Sequence, residues 1–138
     1  FAGYHADMTR SFATRGCSDE QKSIYNIVLE AQTKSIEGIK AGALCRDIDS
    51  IARDHITKSG YGKYFDHGLG HSLGLEIHEN PRFSKVSKDT LEVNYVMTVE
   101  PGIYVKEVGG VRIEDDVIVK ESGAEILNKT PKELQIIS

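Results

Sequence analysis

From Ser18 onward, apolar residues recur three and four positions apart, with Ile24, Ile27, Val28 and Ala31 on one stripe and charged or amide side chains between them. That spacing predicts an amphipathic helix over about residues 19–40. Its start is marked by "SDEQ", a capping box in which the Ser18 hydroxyl accepts from the amide three residues on and Gln21 reaches back; Gly42 supplies a stop. A second, shorter helix carries Ile48, Ile51, Ala52 and Ile56 on its stripe, Asp47 in its first turn where the dipole favours an anion, and Gly60 at its end. His55 lies beside this stripe and reads as a packed structural histidine. After Gly60 the pattern changes to short β-prone runs at 95–100, 102–106, 111–120 and 124–128, with "KEVGG" and "ESG" as turns between them. Two helices followed by antiparallel strands predict an α+β arrangement rather than a βαβ wind. The prolines fall at turns or strand edges, where a missing amide costs little.

A chain of 138 residues is long enough to bury a modest core, so residues 1–138 are expected to form a single domain or part of one. Its 39% hydrophobic and 28% charged content excludes a disordered or fibrous class. The net charge of -4 carries no basic run, which argues against nucleic acid or an anionic membrane as partner and favours a small ligand. No stretch reaches the roughly 20 apolar residues of a membrane-spanning helix. Cys17 and Cys45 lie far apart with no CxxC spacing, which fits structural thiols in a reduced, cytoplasmic compartment. The opening "FAGYHADMTRSF" lacks an initiator Met and reads as the interior of a longer protein.

The segment "HGLGHSLGLEIHENP" concentrates His67, His71 and His78 among glycines. Gly68, Gly70 and Gly74 would each cost about 1 kcal/mol inside a helix, so an extended, glycine-loosened strand is expected. His67 and His71 then share a face, because an even separation preserves the side of a strand. There is no HExxH, which excludes a zincin helix. Further along, "MTVEPG" ends an apolar strand on Glu100, and "GGVRIEDD" places Arg112, Glu114 and Asp116 on one face by alternation. Near the start Asp7 stands between a histidine and an arginine. Imidazoles with several carboxylates and no nearby thiolate suit a borderline-to-hard divalent ion, and bridging carboxylates favour two of them. Spacing alone does not choose between His67 and His71.

Four blocks in order, "GYHADMTRSF", "HGLGHSLGLEIHENPR", "VMTVEPGIYV" and "GGVRIEDDVIV", resemble the signature segments of the pita-bread metallopeptidases, in the branch of Xaa-Pro dipeptidases (prolidases) and aminopeptidase P. The resemblance covers nearly the whole chain. It implies a pita-bread fold, with this chain as its C-terminal part, and a peptidase that hydrolyses Xaa-Pro bonds in short proline-containing peptides. It also implies two divalent ions, Mn²⁺ or Co²⁺ ahead of Zn²⁺ or Fe²⁺, held by two aspartates, one histidine and two glutamates. Asp7 matches the second aspartate, His71 the histidine, and Glu100 and Glu114 the glutamates. The first aspartate would lie upstream of Phe1, so the 138-residue chain alone is expected to bind metal weakly or at one site and to be inactive.

By the same resemblance Glu100 is ligand and general base at once, His67 and His78 bind substrate and steady the developing oxyanion, and Tyr104 and Arg112 support or touch that site. A homodimer is the assembly the resemblance suggests. Two other readings stand beside it: a methionine aminopeptidase or creatinase-like hydrolase, and a peptidase-like binding module that has lost its metals.

Overall fold

Helix α1 (Asp19–Gly38) starts where the capping box predicts: Ser18 Oγ accepts from the Gln21 amide at 3.2 Å, and Gln21 Oε1 accepts from the Ser18 amide at 2.9 Å. It ends two residues short of the expected boundary, because Ile39 is already extended. Gly42, expected as the stop, sits instead in the following loop at φ +83°, a conformation glycine adopts without strain, and its amide donates to the Leu91 carbonyl. Helix α2 (Cys45–Lys58) buries Cys45, Ile48, Asp49, Ala52 and Ile56. Gly60 follows it at φ +89°. The computed structural model describes residues 1–137.

The strands are β1 (Phe12–Thr14), β2 (Gly70–Ser72), β3 (Glu79–Phe83), β4 (Val96–Val99), β5 (Gly102–Val105), β6 (Gly109–Arg112), β7 (Asp115–Lys120), β8 (Gly123–Ile126) and β9 (Gln135–Ile137). Five of them form an antiparallel sheet in the order β3-β2-β4-β7-β8, and β5 and β6 make a separate hairpin. Pro81 lies in β3, an edge strand, as expected for a residue that cannot donate to a ladder. Both helices pack on this sheet, with Ile24, Val28, Ala31, Ile48, Ala52 and Ile56 meeting Met97, Val99, Val117 and Val119 in one buried cluster. Each such side chain contributes roughly 1.5–3 kcal/mol when fully buried, so this layer supplies the main driving force for the fold.

Two expectations are corrected, and one pairing lies outside them. The run 111–120 is two strands: β6 pairs with β5 and β7 with β4, and the chain between them turns so that the Glu114 amide donates to the Thr9 carbonyl. Arg112 and Glu114 still share the Thr9 hydroxyl across this break, while Asp115 turns to Arg10 and Lys132. β1 and β9 pair in parallel, a contact between the two ends of the sequence that no local pattern encodes. The ladder in the histidine segment is limited to Gly70–Ser72, and a register shift between His71 and Ser72 interrupts its pairing with β3.

Candidate metal centre

The centre forms where β2 and β4 run side by side. Gly70 permits this: a side chain there would overlap the Thr98 carbonyl, so only glycine lets the two strands close. The Thr98 hydroxyl accepts from the His71 amide at 3.0 Å and donates to Glu100 Oε1 at 3.0 Å, which ties the backbone carrying the imidazole to the carboxylate. Glu100 follows β4 directly, and its amide donates to the Leu69 carbonyl.

His71 is buried, with Nδ1 3.0 Å from the Ser72 carbonyl and Nε2 3.2 Å from Glu100 Oε1. A carbonyl only accepts, so Nδ1 carries the proton and the Nε2 lone pair of the neutral ring points at a carboxylate oxygen. Two lone pairs at that distance call for a cation, either a proton or a metal. Burial alone would depress the imidazole, but the Glu100 hydrogen bond, the Ser72 carbonyl and the charges of Glu100 and Asp7 together raise it above its ordinary range. Burial would likewise raise Glu100, yet its hydrogen bonds from His71 and Thr98 and the nearby imidazoles hold it below the usual carboxylate range.

The second half of the centre lies on the turn between β6 and β7. Glu114 is buried and accepts from the Thr9 hydroxyl, which in turn accepts from Arg112 Nε at 3.0 Å. Burial pushes Glu114 up to about 7, with the charges of Glu100 and Asp7 adding to the rise. Asp116 is also raised, first by burial and then by Asp7 and Asp115; its Oδ2 accepts from the Asp7 amide at 2.9 Å, while its buried Oδ1 has no partner among the described residues. Arg10 locks this arrangement by donating to the Thr9 and Glu114 carbonyls and pairing with Asp115 at 2.6 Å.

A cavity of about 310 Å³ opens beside the pair, lined by His67, His71, His78, Arg82, Glu100 and Arg112 among others. The rings of His71 and His78 lie edge to face, 4.4 Å apart. His67 Nδ1 faces the Gly68 carbonyl at 2.8 Å, so Nε2 accepts from the Tyr104 hydroxyl at 3.2 Å; Arg112 Nη1 donates to the same hydroxyl at 3.4 Å. A second cavity, about 280 Å³, lies between β1, α1 and β6 around Tyr25 and Cys17, away from the carboxylates.

The structure thus gathers His67, His71, His78, Glu100 and Arg112 around one cavity, with Tyr104 against His67 and Arg112, and Glu114 beside Arg112 at 4.0 Å. Asp7 reaches the centre through its amide and its charge. Among the described residues no three His, Cys, Asp or Glu side chains form a ready coordination set. Sequence reasoning missed Thr9, Thr98 and Arg82 as members of the site. Arg82 pairs across β2–β3 with His71, but the register shift next to it hides that relation from any count of positions.

An imidazole on an antiparallel sheet facing a carboxylate at the next strand's end, with two helices packed on that sheet, agrees with the pita-bread metallopeptidase fold that the sequence resemblance implied. The chain belongs to metallopeptidase family M24, whose description it matches over residues 1–121. It is similar to an Xaa-Pro dipeptidase of Pyrococcus furiosus, 49% identical over 131 residues that cover 95% of this chain and 38% of that protein. Its structure superposes on an Xaa-Pro dipeptidase from Bacillus anthracis with a TM-score of 0.97 at 52% identity, covering 99% of this chain and 39% of that one. An X-Pro aminopeptidase from Thermotoga maritima follows at 0.96 and 44%, covering 99% and 39%. The chain spans somewhat over a third of the length of the relatives it matches.

A metallopeptidase family implies divalent metal, and the donors here fit one in kind. The lone pairs facing each other at His71 and Glu100, the Asp116 Oδ1 without a partner among the described residues, and Glu114, raised by burial and then by the charges of Glu100 and Asp7, together form a donor set that a cation would satisfy.

Proposed function

We propose that these residues serve a metal-dependent exopeptidase that hydrolyses Xaa-Pro bonds in short peptides. The observation that carries this reading is the meeting of His71 Nε2 and Glu100 Oε1 on the wall of a histidine-lined cavity. His71, Glu100, Glu114 and Asp7 would hold divalent metal, Mn²⁺ or Co²⁺ first, with a second ion completing a dinuclear centre. When bound, metal supplies Lewis acidity toward the scissile carbonyl and a more acidic water.

Glu100 takes the proton. Its Oε1 is engaged by Thr98 and His71, which leaves Oε2 to accept the proton of the attacking water and return it to the leaving amine. Its depressed titration keeps it ionised, as a base, at neutral pH. His67 and His78 line the same cavity and orient the scissile carbonyl and the charge that develops on it. Arg82, with no carboxylate partner among the described residues, offers its guanidinium fork to the substrate's terminal carboxylate. That arrangement favours a dipeptide, whose free carboxylate lies next to the cleaved bond.

The test is an assay of the protein, in the length its gene encodes, on an Xaa-Pro dipeptide, an Xaa-Pro-Xaa tripeptide and a Met-initiated peptide, with Mn²⁺, Co²⁺ or Zn²⁺ and with chelator. Cleavage of the Xaa-Pro bond, abolished by chelator and lowered about 10²-fold or more by Glu100→Gln, is expected. Preferred release of Met assigns a methionine aminopeptidase instead. Metal binding without hydrolysis of any of the three assigns a binding module.

A further inference from the structure

Asp49 and Arg53 form a charged pair on α2 that the proposed reaction leaves unused. Arg53 Nε donates to Asp49 Oδ2 at 2.8 Å and Nη2 to Oδ1 at 3.0 Å; the aspartate side chain is wholly buried and the arginine is 15% exposed. Such a pair yields little net stability over apolar residues of the same volume, because desolvation cancels most of the attraction. What distinguishes this one is where its remaining bonds go. Arg53 Nη1 donates to the Phe65 carbonyl at 3.0 Å and Nη2 to the His67 carbonyl at 2.8 Å, while Asp49 Oδ1 accepts from the Leu69 amide at 3.0 Å.

These three backbone groups belong to alternate residues, so the pair holds the chain on both sides of His67, where it bends rather than running as a strand. The guanidinium also lies 4.3 Å from the centre of the Phe65 ring, and that ring meets His67 edge-on with centroids 5.1 Å apart. The His67 ring is also met by Tyr104, with ring centroids 5.7 Å apart. No ladder of the sheet reaches His67, since β2 begins only at Gly70. Its place is set from the helix.

We propose that Asp49 and Arg53 are positioning residues that hold the His67 imidazole against Tyr104 at the cavity wall. The proposal rests on His67 acting on the substrate. It requires a planar fork: an ammonium at residue 53 keeps the charge but cannot bind the carboxylate through two nitrogens while reaching two carbonyls.

Arg53→Lys tests it, with Asp49→Asn as second variant. In aromatic NMR spectra of the chain, the His67–Tyr104 ring contact is expected to disappear in Arg53→Lys while the amide spectrum stays folded. In the peptidase assay kcat should fall on the order of 10²-fold, the scale for a displacement of about 1 Å, with KM changed less. In a His67→Ala background the same substitution should change kcat little, because its route to the reaction is gone. An intact ring contact in a folded variant, or full additivity with His67→Ala, overturns the proposal; so does loss of the folded spectrum in both variants, which makes the pair a stabilising element only. An enzyme that cleaves none of the peptides overturns the functional reading, and the ring contact still decides the positioning.

Discussion

His71 and His78 stack within one cluster, yet their nitrogens meet different partners. His71 faces Glu100 and has its other nitrogen fixed on Ser72, while His78 touches the site through its ring alone among the described residues. We therefore expect His71→Ala to lose bound metal and His78→Ala to keep it while turnover falls; the reverse order in metal analysis reverses the assignment. The sequence could show that an imidazole and several carboxylates were available, and the family resemblance could choose His71 over His67. It could not show that Thr98 and Thr9 each give a hydroxyl to one of the two glutamates, because Thr98 in a strand reads first as a β-former and Thr9 lies more than a hundred residues from Glu114.

At the scale of elements, the close approach of β2 and β4 depends on a missing side chain. Gly70→Ala would press a methyl group against the Thr98 carbonyl, which is backbone and cannot swing aside. The variant is expected to lose about 1–3 kcal/mol in urea unfolding and to weaken metal binding with it, since His71 sits on β2 and Glu100 directly follows β4, the two strands that must part. A destabilised variant with unchanged metal affinity would show that the pair survives a wider spacing. The two helices were legible from apolar spacing and from a capping box of local reach. The split of 111–120 was not, for at the break the Glu114 amide donates to the Thr9 carbonyl, more than a hundred residues away in sequence.

Across the whole molecule one buried carboxylate joins distant parts of the chain. Asp115 meets Arg10, Lys132 and Gln32, and so ties the N-terminal segment and the chain just before β9 to β7 and α1. Asp115→Ala strands two cations and should cost about 3–5 kcal/mol in denaturant unfolding. A loss under 1 kcal/mol would show that the cations find water instead.

Stability should also respond to pH in a way that reports the metal centre. Glu114 titrates at about 7 in the fold and near 4.5 in a free chain, so between these values the metal-free fold binds the extra proton. Its contribution is complete below about 4.5 and is lost as pH rises through 7; raised His71 acts in the same direction. Metal-free protein should therefore weaken from pH 5 to pH 7.5, and Mn²⁺ should reverse the trend at the upper end. A metal-free stability that rises over that range would mean that neither burial nor the neighbouring carboxylates hold Glu114 protonated in solution.

The sequence by itself determined the helices, the strand-rich second half, the family and the residue types of the site, because amphipathic spacing, caps and ordered motif blocks are all properties of neighbours along the chain. Only the tertiary structure decided which carboxylates face the imidazole, which carbonyls Arg53 reaches, and that the two ends pair in parallel through β1 and β9. Those relations join residues far apart in sequence through a shared core, and their distances follow from how helices and sheet close on each other. No local period carries them.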